Sequence, residues 1–173
     1  MATSLHHLVK KSDAPDQFMP FDTNCVANPP ITTNNITAES LVYFSTITGT
    51  QPQGQILPLS NDTNASTFAG VCMDAVPAQY GAVDLPGGVS PNGPRNLARV
   101  SKACQMNLKA TSADAIKPNV KIYAGADAQT MTVQAGSNAI GYIDPEQPYI
   151  ASATAGQLIL CRVRANYPAT PVN

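Results

Sequence analysis

Few residues in this chain could do chemistry, and their spacing argues against it. The two histidines, His6 and His7, are adjacent and stand near one end. A Ser–His–Asp or Cys–His site needs an imidazole held beside its nucleophile, and neighbouring residues point different ways unless the backbone is special. The cysteines, Cys25, Cys72, Cys104 and Cys161, form no C-x-x-C and have no histidine nearby, so no zinc spacing exists. The eleven acidic residues are scattered singly. Asp74, Asp84, Asp114, Asp127 and Asp144 fall at strand ends or in turns, where aspartate is an ordinary turn former. A glycosidase-type pair would need two carboxylates to meet in space, and nothing in the spacing selects two. The run Leu85-Pro-Gly-Gly-Val-Ser-Pro-Asn-Gly93 is glycine-rich but lacks the GxxxxGK[ST] frame and the helix that would follow it, so it is no phosphate cradle. The expectation is a protein that is not an enzyme and uses no catalytic residue, cofactor or metal.

The elements around these residues read as strands. Residues 116–163 alternate short β-forming stretches with Gly, Asn, Asp and Pro. The same signal appears at 41–47, at 55–59, where Pro58 predicts a sheet edge, and at 67–73. Residues 99–109 predict one long strand in which Val100, Cys104, Met106 and Leu108 share a face and Lys102 is the polar exception. Further strands are predicted at 120–124, 130–133, 139–143 and 157–164, the last with Ile159, Cys161 and Val163 on one face and Arg162 and Arg164 on the other. A short helical stretch is possible at 111–115. Seven or eight strands at this spacing predict an all-β fold, a compact antiparallel β-sandwich or β-barrel with little helix. Val42-Tyr-Phe, Ile56-Leu-Pro-Leu and Phe68-Ala-Gly-Val also resemble Ile122-Tyr-Ala, Met131-Thr-Val and Ala139-Ile-Gly-Tyr in kind and order, a faint internal echo.

Outside this body the pattern changes. Residues 1–40 read as an extended N-terminal arm, because Pro15, Pro20, Pro29 and Pro30 exclude a helix or a central strand. Phe18, Met19, Phe21 and Val26 give the arm apolar residues that could dock on the body or on a neighbouring subunit. The body spans 41–165 and contains a Gly/Pro-rich loop at 77–96, long enough to expect a role for it, with Leu85 and Val89 as its apolar contacts. Residues 166–173 form a Pro-containing tail.

Composition narrows the class. Charged residues are 12% of the chain, about half the usual ~25%. Net charge is −1, and the densest cations in sequence are Lys10-Lys11 and Arg162/Arg164, so no basic run predicts a nucleic-acid partner. No apolar run reaches the roughly 18–20 residues of a membrane helix, and no signal peptide opens the chain, so folding in a cytoplasm with reduced, buried thiols is expected.

Val42-Tyr-Phe, Asn64-Ala-Ser-Thr-Phe-Ala-Gly-Val71, Lys117-Pro-Asn-Val-Lys-Ile-Tyr123, Ala139-Ile-Gly-Tyr-Ile143 and Ala155-Gly-Gln-Leu-Ile-Leu-Cys-Arg-Val163 together resemble the capsid decoration, or cement, proteins of tailed bacteriophages. The resemblance covers about residues 40–165; the first forty residues have no counterpart. It implies a non-enzymatic protein on the capsid exterior, made in the host bacterial cytoplasm, that clamps neighbouring major capsid protein subunits as a homodimer or homotrimer. Phe18, Met19, Phe21, Val26, Leu85 and Val89 are then the expected partner contacts, and an edge strand such as the one holding Pro58 could pair with a neighbour. The alternatives are another virion component, such as a tail or spike protein, and a carbohydrate-binding or adhesin module. The latter is disfavoured by 6% aromatics and no Trp.

Overall fold

The computed structural model describes residues 8–11, 17–20, 36–44, 56–73 and 97–166. Over these residues the protein is all-β, with eleven strands and one 3-10 turn at Asn64–Thr67. The strands are β1 (Leu8–Lys11), β2 (Gln17–Pro20), β3 (Ser40–Phe44), β4 (Ile56–Pro58), β5 (Phe68–Cys72) and β6 (Leu97–Ser101). They continue as β7 (Ala103–Ala110), β8 (Lys121–Ala124), β9 (Thr130–Thr132), β10 (Ala139–Ile143) and β11 (Leu158–Arg164).

One sheet runs β2-β6-β5-β3-β4, and the other runs β1-β7-β11-β10-β8-β9. In the second sheet a further pairing of β7 with β9 closes five strands into a barrel. That closing pair, Lys109 with Thr130 and Ala110 with Met131, is parallel, which departs from the all-antiparallel expectation. Strand β11 occupies one edge of β7 from Ala103 to Lys109. The other edge is shared: β9 takes its end, and β1 pairs with its start at Cys104, Gln105 and Met106.

The long strand predicted at 99–109 is two strands in two sheets. Its apolar phase would place Lys102 in a core, and an unpaired buried ammonium is costly. The chain instead bends there, with the Ser101 hydroxyl donating to the Ala103 carbonyl at 3.1 Å and the Ala165 N–H donating to the Lys102 carbonyl at 2.7 Å. The N-terminal segment follows the bend: β1 pairs with β7 and β2 with β6, so the described parts of the arm extend both sheets. At 111–115 the chain makes bends without a helix. The Thr111 N–H goes to the Met131 carbonyl at 3.0 Å and the Ser112 hydroxyl to the Asp114 carboxylate at 2.5 Å.

The two sheets have one topology. Counting strands β2–β6 as a first unit and β7–β11 as a second, each sheet is ordered first, fifth, fourth, second, third. The registers agree as well. Val42 lies opposite Gly70 and Leu41 opposite Val71; Ile122 lies opposite Gly141 and Lys121 opposite Tyr142. Cys72 faces Val100 as Ile143 faces Cys161. The pairing of the second with the fourth strand is bulged in both units. The internal echo of the sequence is therefore a repeated five-strand unit, with β3, β4 and β5 matching β8, β9 and β10.

Gly70 and Gly141 occupy the same place in the repeat. A Cβ on Gly70 would collide with the carbonyl oxygen of Ser101, and one on Gly141 with that of Arg162, in each case on the next strand. Gly70 also has φ +131°, a region that side chains rarely adopt.

Each unit has its own interior. In the barrel it holds Met106, Leu108, Ile122, Met131, Ile140, Ile143, Ile159 and Cys161, all fully buried. The corresponding first-unit set is Val42, Ile56, Ala69, Cys72 and Val100, with Ile36 beside it. The outer side of the first unit is apolar too. Leu41, Phe68 and Val71, with Leu59 and Ala65, join the barrel residues in one cluster. Polar bonds fix this junction. The Leu41 N–H donates to the Ala128 carbonyl at 2.7 Å, and the Asp62 carboxylate accepts the Ser137 and Asn138 N–H groups at 2.9 and 3.1 Å.

Candidate functional site

The second unit's outer face gathers side chains that are far apart in sequence. Strand β7 alternates strictly between half-buried and buried residues, which leaves Ala103, Gln105, Asn107 and Lys109 outside. On β11 the outer residues are Leu158, Leu160, Arg162 and Arg164. Cross-strand register then lines up Lys10, Gln105, Arg162, Tyr142 and Lys121 in one row over β1, β7, β11, β10 and β8. At the usual strand spacing that row is about 19 Å wide. Lys109 opposite Leu158 and Arg164 opposite Ala103 flank it. The strands of this sheet contain Lys10, Lys11, Lys109, Lys121, Arg162 and Arg164 and not one Asp or Glu.

One carboxylate lies beneath the row. Asp144 follows β10, and its side chain is fully covered while that of Arg162 is 46% exposed. One carboxylate oxygen, Oδ2, accepts Arg162 Nε at 2.6 Å and Gln105 Nε2 at 2.9 Å; Oδ1 accepts the Glu146 N–H at 2.8 Å. Burial alone would push the Asp144 carboxyl up, but the Glu146 N–H, Arg162 and Gln105 outweigh it and hold it below the usual carboxylate range. The same bond, with help from Tyr142, pushes the Arg162 guanidinium up, so it keeps its charge. The turn after Asp144 is tied down by Gln147, whose side-chain oxygen accepts the Leu160 N–H at 2.8 Å. The effect is to aim Arg162: its Nε is held from behind, Tyr142 steadies the guanidinium, and the side chain remains partly open to solvent.

This face also carries exposed apolar surface. Among the described residues the exposed large hydrophobic side chains are Val9, Tyr142, Tyr149 and Leu158. Val9, Tyr142 and Leu158 lie on β1, β10 and β11, and Tyr149 follows the Asp144 turn.

Elsewhere the reactive residue types serve structure. Cys72, Cys104 and Cys161 are buried, and Cys104 and Cys161 are free thiols. Burial, aided by the Glu39 charge, pushes the Cys104 thiol up to about 12, and burial pushes Cys161 up as well, so both are neutral and unreactive. Asp114 holds its own bend, and the Asp127 carboxylate accepts the Gln129 N–H at 2.8 Å within a turn. Among the described residues no three His, Cys, Asp or Glu residues come together as metal ligands.

Of the expected partner contacts, Phe18 and Met19 lie on β2, whose backbone pairs with β6 opposite Arg99 and Ala98. Phe21, Val26, Leu85 and Val89 lie outside the described residues, as do the 77–96 loop and residues 167–173. The cation row was not expected, since its members are spread from residue 10 to residue 164. The available signal was phase: Arg162 and Arg164 sit two apart on a strand whose other face is apolar, and Lys109 and Lys121 keep the same outward phase on theirs.

Neither a protein-family model nor a curated protein matches the chain. Among solved structures the chain is similar to the head fiber gp8.5 N base of bacteriophage phi29, at 18% sequence identity and a TM-score of 0.40, covering 76% of this chain and 87% of that one.

Proposed function

We propose that this protein is a non-enzymatic structural component of a phage virion, one that binds the outside of an icosahedral capsid and stabilises it by clamping neighbouring major capsid protein subunits. The observation that carries the reading is where the family-like motifs fall. Val42-Tyr-Phe is on β3 and Ile122-Tyr on β8, Gly70 is on β5 and Gly141 on β10, and Leu158–Val163 is most of β11. They are the residues that build the repeated unit, as expected of a family whose strands are a scaffold. Four described carboxylates fit the same view: Asp62, Asp114, Asp127 and Asp144 each hold a turn or a strand junction. In this reading the protein acts as a homodimer or homotrimer, and contacts made by several subunits at once supply retention on the shell.

The test is co-sedimentation. Shells of the encoding phage, prepared without this protein, are mixed with the purified chain. Binding that saturates at a fixed ratio to the capsid subunit, with a higher temperature of shell rupture, is the expected result. Recovery of the chain only with tails, or no binding, overturns the reading. The arm is best probed by Phe21→Ser and Val26→Ser in the full chain. Deleting residues 1–30 would also remove β1 and β2, and so would disturb both sheets.

A further inference from the structure

We propose that the outer face of the second unit is a docking surface for an acidic protein surface. The proposal rests on the shell-binding reading for the partner's identity, but not for its chemistry. Three observations carry it. First, the face is one-signed: Lys10, Lys109, Lys121, Arg162 and Arg164 lie on it, five of the chain's ten cations, and its strands hold no acid, in a protein whose net charge is −1. Asp144 pairs with Arg162 from beneath, and the remaining like charges on the sheet favour the approach of an outside carboxylate. Second, the cations are mixed with Val9, Tyr142 and Leu158, which are 52%, 37% and 38% exposed. Tyrosine and arginine among apolar side chains make up the centre of protein–protein contacts, and Arg162, held through Nε by Asp144, has its fork ordered in advance to meet a carboxylate.

Third, the fold already covers the matching face once. In the first unit Leu41, Phe68 and Val71 stand where the second unit has Lys121, Ala139 and Tyr142, and they are fully buried at the junction between the units. The repeat packs this face of one unit internally and leaves that of the other open. A nucleic acid fits less well. The cations are spaced by apolar residues and do not form a continuous stripe, and the chain's isoelectric point is about 6.0.

The experiment compares immobilised poly-L-glutamate with duplex DNA of equal charge at low salt, about 50 mM. Lys121→Glu/Arg164→Glu alters only exposed positions and leaves Arg162 and Asp144 in place. Lys117→Glu, in the turn before β8, is the control. The expected result is that the wild-type chain binds poly-L-glutamate, that the double variant binds it about tenfold or more weakly with an unchanged circular dichroism spectrum, and that the control stays within about threefold. No binding to poly-L-glutamate, or an equal loss in the control, overturns the proposal. Tighter binding to the DNA, lost in the same double variant, overturns it in favour of a nucleic acid. The two readings also fail separately. If wild-type protein binds poly-L-glutamate but not shells, the shell reading falls and the face stands. If the double variant binds shells as well as wild type does, the face falls and the shell reading stands.

Discussion

The first and second units share strand order, register, a bulge and a close-approach glycine, yet they place apolar residues differently. The second unit is a closed barrel, apolar inside and basic outside. In the first unit the second and fourth strands are apolar on both sides, with Val42 and Ala69 facing one core and Leu41, Phe68 and Val71 facing the other. The reason is position. A unit packed against a neighbour must hide its outer face, and a unit whose outer face meets solvent must keep it polar. One topology therefore supports two sequence patterns: alternation in β7 and β11, and near-continuous burial in β5.

The comparison breaks most easily at the glycines. Gly70→Ala and Gly141→Ala each force a Cβ into a backbone carbonyl of the next strand, which cannot swing aside as a side chain would. Each is expected to cost about 2–5 kcal/mol or to prevent folding. Gly156→Ala is the contrast: its φ is +83°, but nothing lies within 4 Å, so about 1 kcal/mol of backbone strain is expected. Urea midpoints of the three variants test this. If Gly70→Ala is tolerated while Gly141→Ala is not, the two close approaches are not equivalent.

Val42 and Ile122 occupy one position of the repeat and are both fully buried. Ile122→Ala should cost about 2–5 kcal/mol, since the closed barrel cannot collapse onto the space. Val42→Ala removes less and should cost about 2 kcal/mol. The two thermal unfolding curves, compared at equal pH, check the order. A larger loss at Val42 would mean that the first unit is the tighter core.

Much of the strand content was legible, because period two and turn residues report faces directly: 139–143 and 158–164 fall within a residue of where alternation and Gly/Pro placed them. Sheet membership was not legible. Alternation continues through a bend, so Val100 and Cys104 looked like one face of one strand although they belong to separate interiors. The parallel closure of β7 on β9 also left no local trace, since pairing partners are chosen by the global fold. The repeat was visible only faintly because the two copies meet different surroundings. Leu41 and Lys121, or Val71 and Tyr142, have no reason to look alike. The cation row was hidden for a related reason, as it runs across strands and not along the chain.

The row has its own response to acid. Asp144 is held below the usual carboxylate range, so its contribution is present above the unfolded-state value of about 3.9 and is lost as pH falls through the lower folded value. Asp144→Asn keeps the shape but not the charge, and should cost about 1–3 kcal/mol at neutral pH. The gap in melting temperature between wild type and variant should then narrow below about pH 4. A gap that stays constant down to pH 2 would show that Asp144 acts by shape alone.

The smallest effect is expected at the open edge of the first unit. Among the described residues β4 has β3 on one side only, whereas β9, its counterpart, is paired on both. The Leu59 N–H donates to the Leu41 carbonyl at 2.9 Å, so by alternation the Pro58 nitrogen faces the free edge. Proline there lacks the donor that an added strand would need, which argues against strand addition by a neighbour at that edge. Pro58→Thr should therefore shift stability by less than about 0.5 kcal/mol, because no bond within the sheet changes. Its consequence should be intermolecular. Restoring an N–H to the edge should raise light scattering during prolonged incubation, while a substitution on the paired second unit that keeps its hydroxyl, such as Thr132→Ser at half-buried Thr132 on β9, should not. If both variants stay equally clear, the edge is covered by other means, and the difference between an open first unit and a closed second one has no bearing on association.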